Sequence, residues 1–267
     1  MRRRRRRHGS VQARPRRDRR TRWAQGWVRL RRWLAGVLAL AALGALGAGI
    51  HLLFDAQRFP LRGVRVTGSL ATLTPAEVRA ALEPAWRGQG FFTVDVAAVR
   101  RAAESLDWVR RAQVRRLWPD RLEVRIEERV PVARWGTDAL LDAQGVRFAT
   151  AGHRVPDGLP RLDGPEGSER QVLARWRDWA GRLAAIGLHP VRLRLDARRA
   201  WHLVLADGMR LEVGRKEAGA RLARFLAAWP RVAAAQGGRR AEYADLRYSN
   251  GFAVHWRRNA NDGQEKT

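Results

Sequence analysis

Hydrophobic residues follow three different rhythms along this chain. From Trp33 to Phe54 they run almost unbroken (WLAGVLALAALGALGAGIHLLF), with no formally charged residue between Arg32 and Asp55. Those 22 residues, at about 1.5 Å each, make a helix of about 33 Å, enough to cross a hydrocarbon core of about 30 Å. Trp33 stands at one end, where an indole suits the interface, and His51 lies near the other. The small residues of Gly44 to Gly49 suit close packing of membrane helices and suit plain Ala/Gly filler equally.

After the span the rhythm alternates between two and 3.6. Leu61 to Gly68 (LRGVRVTG) sets Val64 and Val66 on one face and Arg65 and Thr67 on the other, predicting a half-buried strand. Thr74-Pro75-Ala76-Glu77 is a capping box, so a helix starts there; Val78 and Leu82 face inward, and Pro84 and Gly88 end it. Val96, Val99, Ala103 and Leu106 predict a second amphipathic helix after Asp95. Then period two returns. Ala112, Val114 and Arg116 lead to a Trp118-Pro119-Asp120 turn, and Leu122, Val124 and Ile126 form the return strand. The order is strand, helix, helix, strand, strand, with both helices on one face.

Residues 131–258 repeat the alternation at larger scale. Ala139 to Phe148 reads as a hairpin, and residues 168–187 as a helix burying Leu173, Trp176, Ala180 and Leu183. Val191 to Asp196, Trp201 to Leu205 and Met209 to Val213 are strands, the last two joined at Asp207-Gly208. A helix from Glu217 to about Ala235 buries Leu222, Phe225, Leu226 and Trp229, with Pro230 bending or ending it. A final hairpin pairs Tyr243–Tyr248 with Phe252–Trp256 across an Asn250-Gly251 turn. The fold class expected is α+β: one transmembrane helix, a β-α-α-β-β domain over 57–130, and a mixed or antiparallel β-domain flanked by helices over 131–258.

Charge orients the span. Residues 1–32 hold 15 Arg and one Asp, whereas Asp55, Arg58 and Arg62 are the only charges from 55 to 64. The positive-inside rule then places the N-terminus in the cytoplasm and residues 55–267 outside. A cleaved signal peptide is the rival reading. Its n-region would be far too long and its apolar run exceeds the usual length, although Ala45 to Gly49 suit a peptidase. The arm 1–32 is too basic to bury a core and is expected to be disordered, a topology determinant that adheres to anionic lipid. Trp23, Trp27, Leu30 and Trp33 nevertheless recur at helical spacing, so the membrane helix is expected to start early. NANDGQEKT at 259–267 reads as a disordered tail.

Composition narrows the chemistry. There are no cysteines, which removes disulfides and thiol catalysis. Arg alternates with Asp and Glu along the strands, a solvated face rather than the clustered patch of a nucleic-acid binder. The six histidines, at 8, 51, 153, 189, 202 and 255, have no metal-ligand spacing, and neither a P-loop nor a GxSxG elbow occurs. The 12 tryptophans fall mostly on apolar stripes, so they read as core in preference to a cell-wall-binding surface. Nothing here suggests an enzyme, a cofactor, a metal or a small-molecule substrate.

The element order after a single span, with GVRVTGSLATLTPAEVRAAL and VRRAQVRRLWPDRLEVRIEERVPVARW, resembles a POTRA domain, and more closely that of the FtsQ/DivIB family of bacterial cell-division proteins. RRAWHLVLADGMRLEVGR, RLARFLAAWPRV and YADLRYSNGFAVHW are similar to the same family's C-terminal β-domain. The resemblance covers about residues 58–257. It implies a non-enzymatic divisome scaffold in the cell inner membrane, of type II topology, with residues 55–267 periplasmic. It would regulate septal peptidoglycan synthesis by binding the membrane-anchored coiled-coil proteins FtsB and FtsL. FtsB would add a strand to the C-terminal edge of the sheet. By motif the site residues are Arg247, Tyr248, Gly251, Phe252 and Trp256, with Arg198 and Arg199 pairing to acidic groups of the partner. Plain packing on one face of the hairpin is the other reading of the three aromatics, and a solvated face that of the two arginines. The POTRA module would contact other division proteins. The competing assignment, a POTRA component of a secretion or outer-membrane assembly system, would need tandem POTRA units or a long barrel.

Overall fold

The computed structural model describes residues 19–235 and 239–257, with side chains from Arg31 onward. Two compact units emerge: the N-terminal part up to Pro60 together with Gly88–Thr93, and Leu61–Arg87 together with the chain from Val94. The first unit is built on helix α1 (Arg19–Leu53), of which Arg31–Leu53 is long and apolar enough to cross a membrane, at a mean hydropathy of 2.0. The expected disorder of the arm is corrected for its second part, since residues 19–32 are helical. Arginine is a good helix former, so a basic run with Trp and Leu at helical spacing extends a helix already nucleated by the span. The first 18 residues and the tail 259–267 lie outside the described residues.

The second unit opens with the β-α-α-β-β module: β1 (Gly63–Ser69), α2 (Pro75–Trp86), α3 (Val96–Glu104), β2 (Val109–Leu117) and β3 (Arg121–Glu128). The sheet order is β1-β3-β2, with β1 parallel and β2 antiparallel to the central β3. Val78, Leu82, Val99 and Ala103 of the helices and Leu122, Val124 and Ile126 of β3 are all buried. Thr74 and Glu77 cap each other's backbone at the start of α2 as the capping box requires. Pro84 does not end α2, which runs on to Trp86. A proline in the last turn removes only one late hydrogen bond, and Arg87 N still donates to Glu83 O. The approach to α2 is held by Glu128, whose carboxylate accepts from the backbone N of Ala71, Thr72 and Leu73 at 2.9, 3.0 and 2.7 Å. Gly68, at φ 124°, cannot be replaced without collision, because a Cβ would run into Ile126 O.

Next come β4 (Pro131–Trp135), β5 (Ala139–Asp142), β6 (Arg147–Ala149), β7 (Arg161–Asp163), α4 (Glu169–Ala184), β8 (Pro190–Leu195), β9 (Trp201–Leu205), β10 (Arg210–Gly214), α5 (Ala218–Ala235), β11 (Ala241–Asp245) and β12 (Ala253–Trp256). They make one nine-stranded mixed sheet in the order β12-β11-β10-β9-β8-β7-β4-β5-β6. Pairs β10/β11, β7/β8 and β4/β7 are parallel. Leu193, Leu203 and Leu211 from the strands pack with Trp179 and Leu183 of α4 and Leu222 and Phe225 of α5. The buried face of α4 is rotated from that expected: Trp179 is fully buried against Trp201, and Trp176 is half-buried. Pro230 stays inside α5 rather than ending it, and Leu226 is half-buried. Among the described residues outside the span, the tryptophan reading needs an exception at Trp118, which is 78% exposed at the β2–β3 turn.

The two modules of this unit are joined through side chains. Trp108, between α3 and β2, donates its indole N–H to Thr150 O at 3.0 Å and meets the Phe148 ring edge-on. Arg129, just past β3, donates to Asp142 Oδ2 at 2.7 Å, and their side chains are 19% and 3% exposed. The other oxygen of Asp142 accepts from the backbone N of Gln144 and Val146, which shapes the β5–β6 turn.

Candidate functional site: an open sheet edge

Among the described residues the nine-stranded sheet ends at β12, which pairs on one side only. Arg257 N donates to Arg240 O at 2.9 Å. In an antiparallel pair the bonded residues alternate, so Ala253, His255 and Arg257 turn their backbone groups toward β11. Phe252, Val254 and Trp256 therefore project N–H and C=O away from the sheet. Such a row costs free energy if buried unpaired and is a template for an added strand. The opposite end of the sheet, β6, is only three residues long.

Side chains alternate on the other axis. Phe252 meets Phe225 edge-on with ring centroids 5.1 Å apart, and Trp256 stacks on Trp229 at 6.0 Å, so both lie on the α5 side. Each is only half-buried, because among the described residues no strand lies beyond β12 to cover it. The packing reading of these two residues and the edge reading thus coexist in one geometry. Ala253 and His255 are exposed on the opposite face.

The connection between β11 and β12 is longer than the sequence suggested. β11 stops at Asp245, and residues 246–252 form a loop in place of an Asn250-Gly251 two-residue turn. Gly251 does not take a positive φ, so the I′ geometry is not used. What diverts the chain is Asp245. Its carboxylate accepts from Arg247 N, from Nε at 2.9 Å and from Nη2 at 2.7 Å. Those bonds from Arg247 hold the Asp245 carboxyl below its ordinary range. Arg247 is thus the staple of its own loop, and its side chain is still 59% exposed. Tyr248 is 58% exposed, and its carbonyl accepts from Arg224 Nη2 at 3.3 Å. Arg224 supports the loop from α5, and one turn earlier Arg221 donates to Val213 O in β10. Sequence reasoning did not single out this pair. Two arginines beside the apolar stripe of a helix were the available signal.

Arg198 and Arg199 are exposed in the β8–β9 turn, where Asp196 caps Ala200 N at 2.8 Å and Arg199 takes φ 64°. Three to four inter-strand spacings of about 4.8 Å separate them from β12, so they sit about 14–19 Å along the sheet from the edge. They do not join the β12 residues in one cluster. The strands between carry a polar face. His202 lies between Asp196, at 3.1 Å from Nε2, and Glu212 at Nδ1, and Arg210 lies over the Tyr243 ring at 6.0 Å. The backbone N–H of Ala200, and then His202, lower the Asp196 carboxyl pKa. Among the described residues no group of three His, Cys, Asp or Glu side chains is placed to hold a metal ion.

Comparison with known proteins bears on both modules. Residues 59–129 match the family profile of the POTRA domain, FtsQ-type, and residues 133–247 match that of cell division protein FtsQ/DivIB, C-terminal. The second match stops at Arg247, so β12 lies past it. The cell division protein FtsQ of Burkholderia pseudomallei is 40% identical over 224 residues, covering 82% of this chain and 89% of the relative. That of Xanthomonas campestris pv. campestris is 40% identical over 240 residues, 90% of this chain and 84% of the relative. That of Escherichia coli K12 is 35% identical over 206 residues, 76% and 75% of the two chains.

Proposed function

The chain belongs to the FtsQ/DivIB family of cell division proteins, and from that premise we propose a non-enzymatic scaffold of the divisome that captures FtsB by strand addition at β12. FtsL is engaged in the same assembly, and the contacts regulate septal peptidoglycan synthesis. Helix α1 anchors the protein in the cell inner membrane with its N-terminus cytoplasmic and residues 55–267 periplasmic. The POTRA module contacts other division proteins.

The observation that carries this reading is the open β12 edge, with three outward backbone positions beside half-buried Phe252 and Trp256. An added strand would satisfy the free N–H and C=O groups and cover both rings in one step. Arg247 and Tyr248 stand exposed at one end of that strand, next to Gly251, and Arg198 and Arg199 offer a second, separate cationic contact for acidic groups farther along the sheet. The test is co-purification of the full chain with FtsB from membranes, against a chain lacking residues 247–257. Capture should be lost while membrane insertion through α1 persists; capture retained by the shortened chain would refute the site.

A further inference from the structure

Immediately after α1 the first unit builds a small aromatic cluster. Phe54, Phe59 and Phe92 are 55%, 37% and 38% exposed. Phe92 comes from the α2–α3 connection, which the chain brings back to this point: Phe91 N donates to Phe59 O at 2.7 Å, and Pro60 and Gly90 form a β-bridge. Phe92 meets Phe59 and Phe91 edge-on, with centroids 5.4 and 5.1 Å apart. Phe91 is buried, so it anchors the segment and leaves the other three rings outward. The approach is close, because a Cβ on Gly90 would lie 2.9 Å from Ala56 Cα.

The position of these rings relative to the span follows from the backbone. Asp55 O accepts from both Arg58 N and Phe59 N, so residues 54–59 fold as consecutive turns rather than as extended chain. At about 1.5–2 Å per residue, as in helical turns, six residues advance about 9–12 Å. The interfacial layer on each side of the hydrocarbon is about 5–8 Å deep. The 23-residue span is about 34 Å long, which leaves its last turn already at the hydrocarbon boundary. Phe54, directly after α1, thus stands inside that layer, and the rings of Phe59 and of Phe92 beside it, carried at most about 9–12 Å past the helix end, stand at its outer border. Water-facing rings there are unfavourable, whereas the acyl–headgroup boundary accommodates them.

We infer that Phe54, Phe59 and Phe92 form a collar inserted in the phospholipid interface, so that the Gln89–Phe92 loop is a lipid contact of the POTRA connection. The inference rests on the reading of α1 as a membrane span. The occupant is the bilayer and not a protein groove-filler, because Phe54 and Phe59 follow the span directly along the chain and Phe92 packs on Phe59.

The absence of native cysteine allows a direct test in the full chain. Gln89→Cys, exposed and outside the aromatic contacts, would carry an environment-sensitive fluorophore, as would Leu43→Cys in the span and Asp207→Cys at the β9–β10 turn. The protein is reconstituted in vesicles of phosphatidylcholine and phosphatidylglycerol, with nitroxide lipid labelled either at the headgroup or deep in the acyl chain. Headgroup nitroxide should quench position 89 at least twofold more than position 207, and deep nitroxide should quench position 43. Phe59→Ser/Phe92→Ser in the Gln89→Cys chain should bring its quenching down to that of position 207. Quenching at 43 with position 89 no different from 207 would overturn the collar and leave the span standing. No quenching at 43 would overturn the span, and the collar with it.

Discussion

The join between the two modules of the second unit depends on an ion pair that is almost wholly out of water, and Asp142→Ala tests it. The substitution removes the partner of Arg129 and leaves the N–H groups of Gln144 and Val146 without their acceptor. Losing one member of a buried pair costs about 3–5 kcal/mol. Arg129 keeps its Nε bond to Asp107 O, lies over the Phe148 ring at 5.9 Å and is 19% exposed, so the lower end applies, about 3 kcal/mol. Arg129→Leu/Asp142→Leu removes both charges and should cost less than Asp142→Ala, since neither desolvated charge is then stranded. The assay is urea unfolding of residues 57–267, followed by tryptophan fluorescence, which reports on Trp108 at the same junction. A loss below about 1 kcal/mol for Asp142→Ala, or a double variant worse than the single, would refute the reasoning.

Three other outcomes are expected. Trp256→Ala strips a half-buried ring from Trp229 and should lower stability by about 2 kcal/mol, whereas exposed Tyr248→Ala should stay within about 0.5 kcal/mol; both should weaken partner capture, with circular dichroism confirming the fold. The Asp245 carboxyl is held low by Arg247, so its contribution is complete above the ordinary carboxylate value of about 3.9 and is lost as pH falls through the folded value. Thermal melts of wild type and Asp245→Asn from pH 6 to 2 should therefore converge at the acid end. Glu128→Ala leaves the N–H groups of Ala71, Thr72 and Leu73 without their acceptor and should speed hydrogen exchange there by at least tenfold; unchanged exchange would exclude the carboxylate as their anchor.

Much of this architecture is legible in residue order. The capping box at Thr74, the period-two runs of β1 to β3 and the unbroken span all declare themselves locally, because the physics that fixes them acts within a few residues. The misreadings share a cause: the deciding partner is distant or polar. Helix α4 shows Trp176 or Trp179 to the core according to where Trp201 stands, which spacing alone does not determine. The β11–β12 loop looked like an Asn-Gly turn until the Asp245–Arg247 chelate closed the strand early. The edge position of β12 and the separation of Arg198 and Arg199 from it depend on strand order, and β10 to β11 is a parallel crossover through α5. The outward aromatics near Pro60 were invisible because residues 88–93 reach them across a whole helix.

The strand-addition reading is tested most directly by proline placement on β12. The Val254 N–H points away from β11, so Val254→Pro deletes a donor that only an added strand would use; the internal ladder through Ala253 and His255 stays intact. The measurement is capture of FtsB by full chains in detergent, alongside thermal melts, for wild type, Val254→Pro and His255→Pro. Val254→Pro should melt within a few degrees of wild type and lose capture, while His255→Pro, which breaks the ladder itself, should lose both. Wild-type capture by a folded Val254→Pro chain would contradict strand addition at this edge.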